Sequence, residues 1–230
     1  AGDSNFSTSG VVLSLSRRNN ILNHQNISLG GSAAYYRRSL DQSNLFFVDD
    51  ENIPSYSKHF LDLSFGLVHE YEFKQNITIL SGISVFHINK PNQSFFENSS
   101  VELKTNNKVH SAIIYYYKQS VQIKPGFYYS EQGGSQEFVF GANLNYLLMK
   151  YKREILVFRA ALHNRYNDAI IPSLGFKIDN FDIMASYDIN TSSLVSASDY
   201  KGGFEFSIIY NWERHNKTSN KPLIICPKYL

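Results

Sequence analysis

Hydrophobic and polar positions alternate with a period of two along most of this chain. In residues 202–212, GGFEFSIIYNW, Phe204, Phe206, Ile208, Tyr210 and Trp212 fall on one face, and Gly203, Glu205, Ser207, Ile209 and Asn211 fall on the other. Successive strand residues point to opposite sides, so this segment reads as a strand with an oily, aromatic face and a largely polar one. Residues 59–73 repeat the pattern: Phe65, Leu67, His69, Tyr71 and Phe73 oppose Ser64, Gly66, Val68, Glu70 and Glu72. The alternation predicts eleven strands, at 9–18, 26–38, 59–73, 76–88, 108–117, 120–130, 136–147, 154–163, 170–178, 181–189 and 202–212. Asp179-Asn180 supplies a two-residue hairpin signal. No segment sustains a 3.6-residue period, so almost no helix is expected.

The connections are sorted. The tightest, at 74–75, 118–119 and 179–180, fall on one end of an up-and-down meander, and the longest, at 39–58, 89–106 and 190–201, on the other. Outer-membrane barrels have short periplasmic turns, longer extracellular loops and aromatic girdles, whereas a soluble sandwich has no reason to sort its loops. The expectation is an all-β, up-and-down antiparallel transmembrane β-barrel, with a secreted sandwich or lipocalin-like barrel as the alternative. Even strand counts are the rule, and a last strand descending to the periplasm would make an eleven-stranded chain start outside. Residues 1–230 are therefore expected to be one barrel domain, N-terminally incomplete, with about 11 strands here and about 14 in the complete protein. The seam neighbour of 202–212 is expected to be a strand outside this chain.

Composition changes this picture little. Mean hydropathy is −0.29 and no apolar run is long enough for a transmembrane helix, which leaves a barrel open because alternating strands average to mildly polar. A net charge of +2 gives no reason to expect nucleic acid. One cysteine, Cys226, allows no internal disulfide. No signal peptide is legible in AGDSNFSTSG. Glycosylation sequons begin at Asn26, Asn76, Asn92, Asn98, Asn190 and Asn216, and chance accounts for such matches in a chain this rich in Asn and Ser.

Candidate chemistry is sparse. His69-Glu70 opens a zinc-protease pattern, but residue 73 is Phe, and a strand would split the pair between faces. The seven His show no ligand spacing, and no nucleophile-elbow or phosphate-loop motif occurs. No catalytic residue, metal or cofactor is expected. In loop 89–106, Pro91, Phe95 and Phe96 either form an exposed protein-binding patch or fold back to plug the mouth. In loop 39–58, Phe46 and Phe47 stand beside Asp49, Asp50 and Glu51, a self-packed lid or, less simply, a calcium site. Inward Glu70, Glu72, Asp182 and Asp188 are expected to pair with Arg17, Arg37 and Arg159 rather than to line a pore.

Several stretches together resemble the PorP/SprF family of outer-membrane proteins linked to type IX secretion. They are RRSLDQSNLFFVDD (37–50), HFLDLSFGL (59–67), FHINKPNQSFF (86–96), NDAIIPSLGF (167–176), SYDINTSSL (186–194), GGFEFSIIY (202–210) and CPKYL (226–230). The resemblance departs at the start, where members carry a further stretch opening with an Asp-Pro-x-Phe-x-Gln segment. It implies a non-enzymatic barrel of the bacterial cell outer membrane, working in type IX secretion and gliding motility. Its implied partners are a secreted cargo, often an adhesin, and type IX components including periplasmic ring proteins, besides outer-membrane lipid. A passive porin or hydrophobic-substrate channel is the alternative. By carry-over the partner-binding candidates are Asp41, Leu45, Pro91, Phe95 and Phe96, to which the loop aromatics Phe46 and Phe47 are added, and Tyr187, Asp188, Gly202 and Gly203 at the last hairpin are expected to be structural.

Overall fold

The computed structural model describes residues 6–40, 56–96, 99–118, 120–151, 154–192 and 202–212. All regular structure there is strand: β1 (Ser7–Leu22), β2 (Gln25–Leu40), β3 (Tyr56–Lys74), β4 (Ile77–Phe86), β5 (Asn106–Tyr117), β6 (Val121–Gln132), β7 (Ser135–Tyr151), β8 (Glu154–Arg165), β9 (Ala169–Ile178), β10 (Phe181–Tyr187), β11 (Ile189–Asn190) and β12 (Phe204–Tyr210). Each long strand pairs antiparallel with its sequence neighbour, in the order β1 through β10 and then β12. The two-residue β11 continues β10 along β9 in one register: Ser186 opposes Ser173 and Ile189 opposes Ile170. Pro172 lies between those partners and has no N–H to donate, which interrupts the ladder there. The eleven expected strands are thus the eleven long ones, with ends shifted by a few residues. Among the described residues β1 is bonded only to β2, and β12 only to β10.

Local chemistry sets the hairpins. At one end the connections are 23–24, 75–76, 118–120, 152–153 and 179–180, all short; His24, Lys118 and Asp179 take positive φ in them. The three ladder irregularities, at Asn20/Leu22, Glu72/Lys74 and Leu147/Met149, all fall just before such turns. One extra residue in a strand sharpens twist where the chain must reverse. At the opposite end lie the long connections 41–55, 87–105 and 191–203, together with two tight ones. In one of these, Gly133 and Gly134 both have positive φ (58° and 91°), as a primed hairpin turn requires.

Alternation separates two faces. On β3, Phe60, Asp62, Ser64, Gly66, Val68 and Glu70 turn inward, while Leu61, Leu63, Phe65 and Leu67 turn outward, three of the last four being exposed. Ile113, Phe127, Phe140, Leu162, Leu174 and Phe206 extend the outward apolar wall around the sheet. Soluble domains do not expose so many large apolar groups in one band, whereas lipid covers them in a transmembrane barrel. At the short-turn end this wall finishes in rings. Phe181 and Tyr210 lie 4.9 Å apart, and Tyr71 and Phe73 lie 6.2 Å apart.

The inward face is small in the middle. Gly30, Gly66, Gly82, Gly126, Gly141 and Gly175 all occupy inward positions. Their missing side chains are used by neighbours: a Cβ on Gly82 would run into the His110 ring, and one on Gly141 would come 2.6 Å from the His163 ring. Leu80, 1% exposed, is the most buried large side chain among the described residues and also points inward.

Candidate functional site

At the long-loop end, residues 87–96 and 99–105 fold inward. His87 (φ 58°) and Lys90 (φ 43°) turn the chain off the sheet. His87 Nδ1 meets the buried carboxylate of Asp62 at 2.8 Å, and Arg38 donates to Gln93. A small hairpin follows, with Gln93 N–H donating to Val101 O (2.9 Å) and Leu103 N–H to Pro91 O (3.0 Å). Asn92 knits its tip: its Oδ1 accepts from Ser94 N (2.9 Å) and Val101 N (3.0 Å). Far along the loop, Lys104 O accepts from Gln132 Nε2 on β6 at 3.0 Å. These anchors on β2, β3 and β6 lay the loop across the barrel mouth.

Of the loop residues singled out from sequence, Pro91 is buried within this fold, as are Gln93 and Ser94. Phe95 and Phe96 flank the Tyr56 ring at 6.1 and 5.5 Å. Phe95 is half-buried, whereas Phe96 is 62% exposed. The loop thus folds inward along its arms with Phe95 turned back on Tyr56, while the Phe96 ring stays open at the tip. Asp41, Leu45, Phe46 and Phe47, and the acids Asp49, Asp50 and Glu51, lie outside the described residues.

The last hairpin forms a second rim cluster. Asp188 N–H donates to Gly203 O at 2.9 Å and Gly202 N–H donates to the Tyr187 hydroxyl at 3.2 Å, so the four residues named there do come together. The Asp188 carboxylate accepts from Arg165 at 3.1 Å, and the same guanidinium holds Asp168 at 2.9 Å and Glu137 at 3.2 Å. Sequence reasoning missed Arg165 as the hub, because its three carboxylates come from different strands and turns.

The inward ion pairs differ from expectation by one residue of phase. Arg159 does pair with Asp182, but Arg17 and Arg37 belong to the outward series with Leu29 and Tyr35. Arg18, on the inward series, pairs with Glu70, to which Asn26 also donates at 3.1 Å. Glu72 lies 3.5 Å from His24. Around Arg159 the groups form a belt: its Nε donates to Asn145 at 3.1 Å, and Asn145 donates to Gln122 at 2.5 Å. In adjacent doublets of a sheet a slip of one residue reverses the face, so neighbouring arginines such as Arg17 and Arg18 are not equivalent.

Among the described residues no group of three or more His, Cys, Asp or Glu is placed to hold a metal ion. No helix there is long and apolar enough to cross a membrane. No curated protein matches the chain. The outward apolar wall, the sorted connections and the up-and-down meander agree with a family model that does: the type IX secretion system membrane protein PorP/SprF model matches residues 1–210, through the last residue of β12, and the chain belongs to that family of bacterial outer-membrane β-barrels.

Proposed function

We propose that this type IX secretion outer-membrane protein is a non-enzymatic barrel that binds or anchors a secreted, adhesin-like protein at the cell surface. The reading puts the short turns in the periplasm and the long loops outside. The observation that carries it is the loop after β4, whose described residues fold over the mouth yet present Phe96 beside Tyr56. An aromatic ring on a pre-organised support loses little freedom on binding and is a common anchor of protein interfaces. Pro91 and Phe95 shape that support, and Asp41, Leu45, Phe46 and Phe47 belong to the second long loop at the same end. Tyr187, Asp188, Gly202 and Gly203 act structurally, tying the two sides of the last long connection.

The inward belt of Gln122, Asn145, Arg159 and Asp182 favours this holding role over passive conduction. Tagged barrel solubilised from outer membranes should recover a secreted protein or a type IX component, and Phe96→Asp should reduce that recovery. Recovery of neither from wild-type membranes, or steady conductance by the folded barrel in planar bilayers, would reverse the assignment.

A further inference from the structure

The rim of the barrel has a step beside β3. Residues Phe65–Lys74 of β3 pair with β4, but β4 ends at Phe86, and Tyr56–Ser64 rise beyond it. On the other side those residues remain bonded to β2 up to Tyr56, which opposes Leu40. In an antiparallel ladder each residue sends both its N–H and C=O to the same neighbour, alternating sides. Leu63 faces the β4 side, since its carbonyl accepts from Ile88 N at 3.0 Å. By alternation Leu61, His59 and Ser57 face that side too.

The chain covers only the base of this edge, and does so with a side chain. Asn89 accepts from Leu63 N at 3.0 Å and donates to Leu61 O at 2.8 Å, imitating a paired strand for one step. Then Lys90, at positive φ, turns the loop inward. Above Asn89, no described hydrogen bond reaches the N–H of Leu61 or the N–H and C=O groups of His59 and Ser57. The Tyr56, Phe95 and Phe96 rings stand beside the top of this edge on the inward side. Evenly spaced donors and acceptors along a sheet edge match another extended backbone, and exposed edges of this kind recruit one.

We propose that the edge Ser57–Leu61 takes an extended segment of the secreted partner as an added β-strand, whose inward side chains rest on Phe96. This rests on the partner-holding role argued above and specifies its mode: backbone pairing supplies the affinity, and an apolar residue at alternate positions supplies the selectivity. A globular surface without a free strand, or a lipid, would not satisfy the edge.

A proline at 59 tests it, because it removes an N–H that no ladder uses while leaving the β2 pairing of Lys58 and Phe60 intact. The reporter is a photo-crosslinking benzoylphenylalanine at position 96 in secreting cells, with adducts identified by mass spectrometry. Folding is checked by the gel shift of unheated barrel. The wild-type background should give an adduct with a secreted polypeptide bearing a type IX C-terminal signal. His59→Pro should cut it about tenfold or more, the loss of one or two ladder bonds, while His59→Ala should retain it. An undiminished adduct with folded His59→Pro overturns strand addition and leaves the partner-holding role standing. Absence of any adduct in the wild-type background removes both.

Discussion

Removing the carboxylate of Asp182 is the sharpest probe of how the inside of the barrel is built. Asp182 is 3% exposed and pairs with Arg159, whose other described acceptor is Asn145 at 3.1 Å. Asp182→Ala would leave a largely shielded guanidinium with one neutral partner. Breaking a buried pair from one side costs about 3–5 kcal/mol, or about 10²- to 10⁴-fold in the folding equilibrium. Replacing both members, as in Arg159→Met with Asp182→Leu, removes the orphaned charge and should restore most of the loss. The assay is urea unfolding of the barrel folded into lipid vesicles. The single tryptophan, Trp212, is 89% exposed on the outward face and leaves lipid contact on unfolding. A loss within about 1 kcal/mol, the range of solvent-exposed pairs, would refute the reasoning. It would mean that water fills the barrel at this level and that the carboxylate is hydrated rather than sealed.

Two further outcomes follow from the faces of the sheet. Leu174 is the central outward residue of β9 and Ile178 the last before a short turn, so Leu174→Arg should cost about 2–4 kcal/mol in vesicle refolding and Ile178→Arg about 0–1 kcal/mol; equal costs would place the bilayer elsewhere. Gly82→Ala drives a Cβ into the His110 ring and to 3.0 Å from Leu67 O, and should cost about 1–3 kcal/mol in the same urea titration. Adding His110→Ala should recover part of that loss, and strict additivity of the two changes would show that the ring is not the obstacle.

Much of this was legible because a strand's period is two whatever surrounds it. The faces of 59–73 and 202–212, the tight turn at 179–180, the one expected at 74–75 and found one residue later, and the sorting of long connections to one end all follow from local alternation and turn chemistry. Loop 87–105 was legible as a loop with two aromatic residues, but not as a hairpin. Its course depends on Asn92, Asn89 and His87 finding partners 9 to 28 residues away.

Alternation along the chain is enough to read the fold class, the number of long strands, and which residues within one strand share a face. Those properties are set by backbone geometry and by the side of the strand on which each side chain emerges. Which inward charge meets which emerges once the strands are paired. Arg18 rather than Arg17 pairs with Glu70, and Arg165 gathers Glu137, Asp168 and Asp188, because ion pairing depends on the register between strands and on the reach of a side chain across them. The tertiary structure decided as well that β3 outlasts β4 and leaves an edge at the rim. Strand length read from one segment says nothing of where its neighbour stops.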